Sequence, residues 1–548
     1  MLKIPKLVKG NIVLILIISV AAFLRLWQLN SLPPGFSADE ATIGYNAYSV
    51  LQTWRDEYGE LLPISFRSFS DYQVPLYTYV TIPFIAIFGL TELAVRLPSA
   101  LAGIAAVALV YFLLSKLFQD KKLALFGAFF LAISPWHIFF SRGAWQTNLA
   151  TFLMTLGVYL FVVGLRNGKM LPFSILAFLA SLYAYQSQRL IVPVLGFFLV
   201  IFYWKQLMNH KKAFIVSATL GFILFIPLFF ILISPSGQAR FKGVSVFTDP
   251  GPVNRINQDR GEHPNPNGII AKIFHNKIQT FTVIITKNYY EHFGPKFLFT
   301  DGDPIGRHNI PNIGQLHLFD AIFLPLGFIF IILKKKFIQN RIIILWLAVA
   351  PVASAITFQS PNALRAANMS VPLAIISAFG VYFIFENLIK IKNYLKYSAS
   401  LIITAGIIYF MATMLDQYYS HLPKRHSLEW EYGFKEVINL IGDNYNDYSK
   451  IIITNRYDQP YILTLFYLSY EPSKYQKITK QTTEIDKFGF TTISSFDKFE
   501  FRKINWGEDK KLRNALIVGT SEEIPENVKI QDQVLNPDGS VAFKIVSL

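Results

Sequence analysis

Long apolar runs alternate with short polar segments along most of the chain, and this pattern predicts a polytopic α-helical membrane protein. A helix needs about 20 apolar residues to cross the hydrocarbon core of a bilayer. Eleven segments meet this length, and they begin near Asn11, Leu97, Leu123, Leu149, Met170, Leu190, Ala213, Leu316, Ile342, Val371 and Ser398. A further apolar stretch, Val74 to Leu90, is short and contains Pro83, so we interpret it as a re-entrant or interfacial helix. The pattern therefore predicts eleven crossings, within a range of about 11–13 transmembrane helices.

The pattern changes after Asp416. Short β-rich runs such as KIIITN, FGFTTISSF, NALIVGT and VAFKIVSL alternate there with polar and acidic stretches, which is typical of a small α/β domain. We therefore predict a transmembrane domain over residues 1–416, with outer loops 30–96 and 235–315, and a C-terminal α/β domain over residues 417–548.

The second of these outer loops carries an apolar repeat. The residues that recur at helical spacing are Ile270, Ile273, Phe274, Ile278, Phe281 and Ile285. Such a repeat is typical of a helix that presents one apolar face. It predicts an amphipathic helix lying in the membrane interface.

The composition agrees with a membrane protein and excludes several other classes. Of the 548 residues 53% are hydrophobic and only 16% are charged, which is too apolar for a soluble multidomain protein. The formal net charge is +16, but the Lys residues cluster in short runs between apolar segments rather than along one amphipathic face. Nucleic acid is therefore not a predicted partner. The chain has no Cys, so disulfides, thiolate metal sites and Cys nucleophiles are excluded.

The Lys clusters also predict the orientation, because short cytoplasmic loops are enriched in Lys and Arg. Eleven crossings with a cytoplasmic N-terminus place every Lys-rich short loop inside. The short outer loops are then SRGAWQTN, QSQR and QSPNALR, each with one Arg and no Lys. Arg25 and Trp27 stand where a cleavage site would follow the first apolar run, so we predict an uncleaved signal anchor. The predicted location is the cell (plasma or inner) membrane, with the C-terminal domain outside the cytoplasm.

An adjacent acidic pair, Asp39 and Glu40, follows the first crossing and precedes the helix-forming stretch ATIGYNAYSVLQTW. Charge is costly at a membrane rim, so the pair needs a partner, water or a chemical role. An Asp in front of a helix can also cap its backbone N–H groups. The sequence leaves capping and chemistry open, and the two are compatible. Asp71, in the same acidic loop, is a further candidate for substrate binding.

Isolated arginines occupy the short outer loops. Arg142, Arg189 and Arg365 are each placed by the predicted topology at one depth of the membrane, and Gln188 precedes Arg189. A guanidinium group is suited to phosphate oxygens, whereas a single Arg can also extend to lipid headgroups. Three such arginines with polar neighbours favour an anionic ligand.

The segment from Tyr289 to His317 concentrates polar and charged residues next to a crossing. His292, Arg307 and His308 are candidate substrate-binding residues in it. Histidine and carboxylate side chains together permit metal binding, but their spacing matches no zinc pattern. Hydrogen bonding to sugar hydroxyls or to phosphate fits these residues at least as well.

Several familiar motifs are absent from the sequence. It contains no P-loop, no GxSxG and no HExxH. Within the predicted crossings only Asp320 and Glu386 are acidic, and each lies near an end. Ionisable residues inside crossings usually mark ion or proton pathways, so the sequence does not favour a proton-coupled transporter.

The order of several segments resembles a known family. An N-terminal anchor ends in LRLW and is followed by ADEATIGYNAY, by VPLYTYVTIPFIAIFGLTELAVRLPSAL and by SPWHIFFSRGAWQTNLA. This order resembles the polytopic GT-C glycosyltransferases of family 39, which include protein O-mannosyltransferases and lipid A aminoarabinose transferases. The similarity covers roughly the first 200 residues well and the rest loosely. It implies a polyprenyl-phosphate sugar donor, catalysis outside the cytoplasm, and Asp39 as the base with Glu40 beside it.

The predicted function is transfer of a hexosyl or pentosyl group from a polyprenyl-phosphate carrier to an extracytoplasmic acceptor, which is a protein, a lipid or a glycan. The predicted partners are this donor, the acceptor and membrane lipids. The sequence identifies no required cofactor, and it permits a divalent metal. The main alternative is a transporter or flippase of lipid-linked sugars, which predicts buried charges and inverted repeats. A polymer-assembly protein without catalysis would leave Asp39 replaceable.

Overall fold

A computed structural model describes residues 6–69, 71–334, 337–388, 392–478, 482–485 and 491–548. These residues form α-helices through most of the chain, as the apolar pattern predicts. The first thirteen are α1 (Lys6–Leu26), α2 (Ala38–Thr53), α3 (Leu76–Phe88), α4 (Glu92–Phe118), α5 (Lys121–Ile133), α6 (Pro135–Ser141), α7 (Gln146–Gly164), α8 (Leu171–Ala184), α9 (Gln188–Phe202), α10 (Trp204–Met208), α11 (Lys211–Ile233), α12 (Pro235–Val244) and α13 (Pro250–Gly261). The following twelve are α14 (Ile269–Phe274), α15 (Lys277–Glu291), α16 (Asp320–Leu333), α17 (Phe337–Val349), α18 (Val352–Ala355), α19 (Ser370–Leu388), α20 (Asn393–Asp416), α21 (Leu422–Arg425), α22 (Phe434–Asp443), α23 (Pro460–Tyr467), α24 (Pro472–Lys477) and α25 (Trp506–Asp509).

Each of the eleven predicted crossings coincides with an apolar helix. Among the described residues, helices in five of these segments are long and apolar enough to cross a membrane. A sixth span results if α5 and α6, which are bent by 59° at the break between them, are counted as one. The five long ones are Glu92–Phe118, Gln146–Gly164, Lys211–Ile233, Ala367–Leu388 and Asn393–Arg425. The remaining five predicted crossings contain shorter apolar helices, namely Ile12–Leu26, Gly168–Ala184, Gln188–Phe202, Asp320–Leu333 and Asn340–Ala355.

The stretch predicted to be re-entrant or interfacial forms α3, which has 13 residues and contains Pro83. At 1.5 Å per residue this helix is about 20 Å long, which is shorter than the ~30 Å hydrocarbon core of a bilayer. Its place in the membrane stays a prediction, as does the orientation of the whole chain.

Apolar side chains are exposed on several of the long helices. In the most apolar 18-residue stretch of α11 only 11% of the residues are buried, and in that of Asn393–Arg425 only 6% are buried. Phe222 and Leu401, for example, are 71% and 70% exposed. Apolar surface of this extent is typical of a face covered by lipid. The predicted fold class, a polytopic helical membrane protein, is therefore confirmed.

The chain forms two compact units, and the first comprises Met1–Leu24, Ala102–Phe140 and Thr147–Met414. Its centre is α19, which packs along α16 and α5. Two glycines permit the close approach of α16 and α19, because a Cβ atom at Gly327 would lie 2.0 Å from the Ile376 carbonyl oxygen and one at Gly380 would lie 2.0 Å from the Phe323 carbonyl oxygen. Small residues at such crossings bring helix backbones into contact.

The amphipathic helix predicted in the loop of this unit is two helices, α14 and α15. The helix is interrupted at His275 and Asn276. The Asn276 side chain caps α15 by accepting a hydrogen bond from the Gln279 N–H at 2.9 Å. An Asn at this position favours a new helix start. The predicted apolar face is exposed at Ile270 (62%) and Ile278 (82%). Contact with the membrane interface stays a prediction.

The second unit comprises Arg25–Leu101, Ser141–Gln146 and Leu415–Leu548. Its C-terminal part begins next to the predicted boundary at residue 416, and the unit also contains the first predicted outer loop. Its strands are β1 (Phe66–Ser68), β2 (Asp71–Gln73), β3 (Lys450–Ile453), β4 (Thr482–Ile485), β5 (Thr491–Phe496), β6 (Phe499–Phe501), β7 (Ala515–Gly519), β8 (Asp532–Leu535) and β9 (Val541–Ser547).

Strands β3 to β9 form one mixed sheet in the order β4-β5-β6-β3-β7-β9-β8, with β3 parallel to both β6 and β7. The central strands β3 and β7 are continuous apolar runs, as expected for strands buried on both faces. Ile452, Ile517 and Val546 meet in the core on one side of the sheet. The α/β prediction for the C-terminal part is therefore confirmed. Strands β1 and β2 form a separate antiparallel hairpin.

Candidate active site

The acidic pair lies in the first turn of α2, within the second unit. Ser37 is the N-cap of this helix: its hydroxyl accepts the Glu40 N–H at 3.4 Å, and the Glu40 carboxylate accepts the Ser37 N–H at 3.3 Å. This reciprocal arrangement is a capping box. The cap is therefore Ser37, and the sequence-based alternative that Asp39 caps the helix is wrong.

Glu40 is buried and makes an ion pair with Arg96 of α4. The Arg96 Nε atom donates to Glu40 Oε1 at 3.0 Å and Nη2 donates to Oε2 at 3.1 Å. The Ala144 N–H also donates to Oε1 at 2.8 Å. Both carboxylate oxygens are thus engaged by groups from three chain segments. Charge-assisted and two-pronged hydrogen bonds of this type are strong and directional, so Glu40 fixes the first turn of α2 in place.

Arg96 was missed by the sequence-based site prediction. It is fully buried, and its Nη1 and Nη2 atoms also donate to the carbonyl oxygens of Leu29 (3.3 Å), Pro33 (3.2 Å) and Gly35 (2.5 Å). The available signal was the lone Arg in RLPSAL, at the edge of an apolar segment. An ionisable residue there requires a partner of opposite charge, and Glu40 is that partner.

Two further contacts hold the loop that precedes α2. The Glu431 carboxylate accepts the Ala38 N–H at 2.9 Å. Gly35 has φ of +95°, and a Cβ atom at this position would lie 2.3 Å from the Trp430 carbonyl oxygen. Only glycine fits such a backbone conformation and such a close approach. The chain entering α2 is therefore restrained from both sides.

Asp39 differs from its neighbour because it is half-buried rather than fully buried. Gln73 of β2 donates from Nε2 to Asp39 Oδ1 at 3.4 Å, and the same Nε2 lies 3.3 Å from the Ser68 hydroxyl oxygen. As the second residue of α2, Asp39 lies where the helix N-terminus favours negative charge. The arrangement presents a carboxylate with part of its surface accessible on a restrained turn, which a general base requires.

Asp71 belongs to β2, where its backbone pairs with Ser68, but its side chain lies outside the described residues. Strand β2 brings Gln73 to Asp39, and this contact was not predicted. The predicted substrate contact of Asp71 stays a prediction.

Arg142 lies in the second unit and is fully buried. Its Nε donates to the Tyr418 hydroxyl at 2.9 Å, and its Nη2 donates to the carbonyl oxygens of Trp27 (2.7 Å) and Leu32 (3.3 Å). Its guanidinium carbon also lies 5.5 Å from the centre of the Tyr419 ring. These contacts join three chain segments. They support a structural role, and the predicted contact with a phosphate stays a prediction.

Other predicted residues come together in the first unit around Asp303. The His308 Nδ1 atom lies 3.6 Å from Asp303 Oδ2, which also accepts the Ala363 N–H at 2.5 Å. The positive charges of Arg307 and Arg365 act on His308, although burial is the main reason that the pKa of His308 is lowered. The structure therefore groups the neighbours Arg307 and His308 with Arg365, which is distant in the sequence, into one cluster that we call the Asp303 cluster.

The side chains of this cluster differ in how they are held. Arg365 is half-buried and donates from Nη1 to the Thr357 hydroxyl at 2.9 Å and to the Gln359 carbonyl at 3.1 Å. His292 is fully buried, and its Nδ1–H donates to the Asn288 carbonyl at 2.7 Å. Burial lowers the pKa of His292 to about 4, so this imidazole is neutral near pH 7. We infer that His292 supports the backbone, whereas Arg307 and Arg365 carry charge.

Gln188 and Arg189 begin α9 in the same unit. Gln188 is fully buried, and neither its Oε1 nor its Nε2 has a hydrogen-bond partner among the residues that the structure describes. Leaving a buried polar group unsatisfied costs about 1–3 kcal/mol. Such an amide is consistent with the predicted role in binding a polar ligand. Arg189 is half-buried, and its predicted role stays a prediction.

A metal was permitted by the sequence. Within the described ranges, no group of three or more His, Asp or Glu residues is placed to hold a metal ion.

Comparison with known proteins identifies the fold. Residues 73–231 match the sequence model of a family described as dolichyl-phosphate-mannose-protein mannosyltransferase. No curated protein sequence matches the chain. The structure is similar to that of ArnT from Cupriavidus metallidurans in the apo state, with a TM-score of 0.54, 11% identity, and coverage of 99% of this chain and 98% of ArnT. ArnT bound to undecaprenyl phosphate gives a TM-score of 0.50 at 11% identity, with coverage of 98% and 97%.

A second similarity is to the oligosaccharyltransferase AglB from Archaeoglobus fulgidus, in complex with an inhibitory peptide and a dolichol-phosphate. The TM-score is 0.52 at 13% identity, with coverage of 84% of this chain. The chain spans 64% of the length of AglB. At such identities the likeness shows the fold. The resemblance to GT-C glycosyltransferases is therefore confirmed, and the chain has the fold of this superfamily of membrane proteins.

Proposed function

We propose that the protein is a membrane glycosyltransferase that moves a sugar from a polyprenyl-phosphate-linked donor to an extracytoplasmic acceptor, with Asp39 as the general base. The observation that carries the proposal is the half-buried Asp39 carboxylate on a turn restrained by Glu40 and Arg96. The similarity to ArnT bound to undecaprenyl phosphate, and to AglB in complex with a dolichol-phosphate, supports a lipid-linked donor.

The proposed chemistry is a single displacement. The acceptor hydroxyl oxygen attacks the anomeric carbon while the bond between that carbon and the phosphate oxygen breaks. Asp39 takes the hydroxyl proton, and the polyprenyl phosphate leaves with the bonding electrons. A base that is held in position contributes typically about 10²- to 10⁴-fold to such a reaction. Phosphate is a good leaving group, so the second carboxylic acid found in glycosidases is not required.

Within this proposal, Glu40 is a positioning residue. Its oxygens are occupied by Arg96, by the Ala144 N–H and by the Ser37 N–H, so a proton from the acceptor would have to displace one of them. The predicted part of Glu40 in the chemistry stays a prediction.

We further propose that the Asp303 cluster binds an anionic group of the substrate. Arg307 and Arg365 are half-buried, and each guanidinium carries a permanent positive charge. Arg365 Nη1 is held in position by the Thr357 hydroxyl and the Gln359 carbonyl. Cationic donors of this kind stabilise the charge that develops on a departing phosphate. Arg142 is not part of this proposal, because its guanidinium is fully buried and donates to the Tyr418 hydroxyl and to the carbonyl oxygens of Trp27 and Leu32.

The test is the Asp39→Asn variant, purified and supplied with a synthetic polyprenyl-phosphate sugar and membrane extract as the source of acceptor. Release of free polyprenyl phosphate should fall about 10²- to 10⁴-fold, while the melting temperature is unchanged. Glu60→Gln is a matched control, since Glu60 is an exposed acid of the same loop. A rate close to that of the wild type in Asp39→Asn would exclude Asp39 as the base. Movement of intact donor across the membrane without release of polyprenyl phosphate would favour the flippase alternative.

A further inference from the structure

Two histidines of the first unit face each other in the long loop that follows α11. His263 lies just after α13 and His275 ends α14. Their Nε2 atoms are 3.0 Å apart, and the centres of the rings are 5.0 Å apart at an interplanar angle of 60°. Both side chains are half-buried, so the pair is ordered by its surroundings and remains accessible to small solutes.

The separation of the two nitrogens matches the geometry of a transition-metal site. Zinc binds imidazole nitrogen at about 2.0–2.1 Å in tetrahedral geometry, so two such ligands stand about 3.3 Å apart. A displacement of a few tenths of an ångström would allow both Nε2 atoms to bind one ion. Imidazole is also a common ligand of copper and nickel.

The surroundings of His275 favour the tautomer that a metal requires. Asp259 Oδ2 lies 3.7 Å from His275 Nδ1, so a proton on Nδ1 is stabilised and the lone pair stays on Nε2. Carboxylates placed behind a metal-binding histidine have this effect. The Arg260 Nε also donates to the His275 carbonyl at 2.6 Å, which fixes the backbone that carries the ring. In the pair as it stands, His263 Nε2–H donates to His275 Nε2, and only His263 has to change tautomer to bind a metal.

We propose that His263 and His275 form a site for a divalent transition-metal ion such as Zn²⁺, with water in the remaining coordination positions. The site uses none of the residues assigned to the Asp39 site or to the Asp303 cluster, and it goes beyond the proposed transfer reaction. With two protein ligands it lacks the third that catalytic zinc sites have. It is therefore an exchangeable site and not a catalytic centre.

Metal binding would close the loop of residues 264–274, which contains α14. The side chains of Ile269, Ile270, Ile273 and Phe274 in this loop are 59% to 75% exposed. A crosslink at the two ends of the loop reduces the number of conformations open to it. The expected effect of the ion is thus to hold this apolar turn in one position.

The experiment uses the full chain in detergent with an affinity tag that contains no histidine. The protein is first treated with a chelator and then dialysed against micromolar Zn²⁺ at neutral pH, and bound zinc is counted by atomic absorption. The wild type should bind one more zinc ion than His263→Gln or His275→Gln. Asp259→Asn should keep the site with an affinity about 10- to 100-fold weaker. His421→Gln is the control, since His421 is 40% exposed and lies outside this loop.

Equal zinc binding by the wild type and both histidine variants would overturn the proposal, and the pair would then be a hydrogen bond between neutral rings. Each variant is also melted without metal, which separates loss of the site from loss of the fold. Proteolysis within residues 264–274 provides a second measurement. Zinc should slow cleavage there in the wild type and have no effect in His275→Gln, and equal slowing in both proteins would contradict the proposal.

Discussion

Replacing Glu40 by Gln tests whether this residue positions the site or takes part in the chemistry. The carboxylate accepts two hydrogen bonds from Arg96, one from Ala144 and one from Ser37, and it is only 3% exposed. Gln has nearly the same shape, but it removes the negative charge. Its N–H₂ group would also face N–H groups that now donate hydrogen bonds to the carboxylate. Arg96 would then remain buried without a countercharge in contact.

The expected loss of stability follows from this geometry. Removing one partner of a buried ion pair typically costs about 3–5 kcal/mol, out of the ~5–15 kcal/mol that stabilise a typical folded protein. Each carboxylate oxygen accepts two of the four hydrogen bonds, so the single Gln oxygen can keep two of them. We therefore expect a value near the lower end, about 3 kcal/mol. Asp39→Asn removes a charge at a half-buried site, where the contact with Gln73 is long at 3.4 Å, so we expect a change within about 0.5 kcal/mol.

The assay is unfolding of each purified variant in detergent, followed by circular dichroism or by intrinsic fluorescence, in parallel with the transfer rate at a temperature where both are folded. The double variant of Glu40→Gln with Arg96→Gln should cost less than the sum of the two single variants, because the pair acts as a unit. Wild-type stability of Glu40→Gln together with complete loss of transfer would refute the reasoning, since it would place Glu40 in the chemistry.

Three further predictions concern residues near this site. Gly35→Ala should destabilise the protein by about 2 kcal/mol or more, because φ is +95° and the added Cβ would lie 2.3 Å from the Trp430 carbonyl oxygen; a melting curve equal to that of the wild type would contradict this. Gln73→Ala should lower the transfer rate about fivefold through loss of roughly 1 kcal/mol while leaving the melting temperature unchanged, and an unchanged rate would show that its contact with Asp39 is unimportant. Burial raises the pKa of Glu57 from 4.5 to about 8, so the folded state holds a proton that the unfolded chain releases, and stability should fall as the pH rises through this interval. The free energy of unfolding should fall less in Glu57→Gln than in the wild type between a pH below 4.5 and a pH above about 8. An equal fall in both proteins would contradict the prediction.

The apolar helices of the eleven predicted crossings were predicted well because their signal is local. An apolar run of sufficient length cannot be placed in water, so each of the eleven runs became an apolar helix. The strands β3, β7 and β9 were marked in the same way by dense β-branched residues. The predicted amphipathic helix was too long because one polar residue, Asn276, outweighed the apolar spacing by capping a second helix.

The composition of the second unit could not be read from local patterns. It joins the first predicted outer loop to the C-terminal residues, for example through the Ala38 N–H and the Glu431 carboxylate, which are 393 positions apart. The sequence around either residue gives no indication that the other is its partner. The same holds for the Asp303 cluster, where His308 and Arg365 were predicted separately and came together only in the fold.

The two roles within the acidic pair follow from helix geometry once Arg96 is considered. Successive residues of an α-helix project about 100° apart, so two adjacent acids in its first turn cannot both face a single buried guanidinium. Arg96 is fully buried and requires one carboxylate, which the capping box assigns to Glu40 at the third position of the helix. Asp39 is thereby directed away from the ion pair and towards the accessible side, where Gln73 meets it. Exchanging the two acids, as Asp39→Glu with Glu40→Asp, keeps the charge of the pair but shortens the side chain that must reach Arg96. We expect the exchanged variant to be less stable than the wild type and to have a lower transfer rate. If only the net charge of the pair mattered, neither would change.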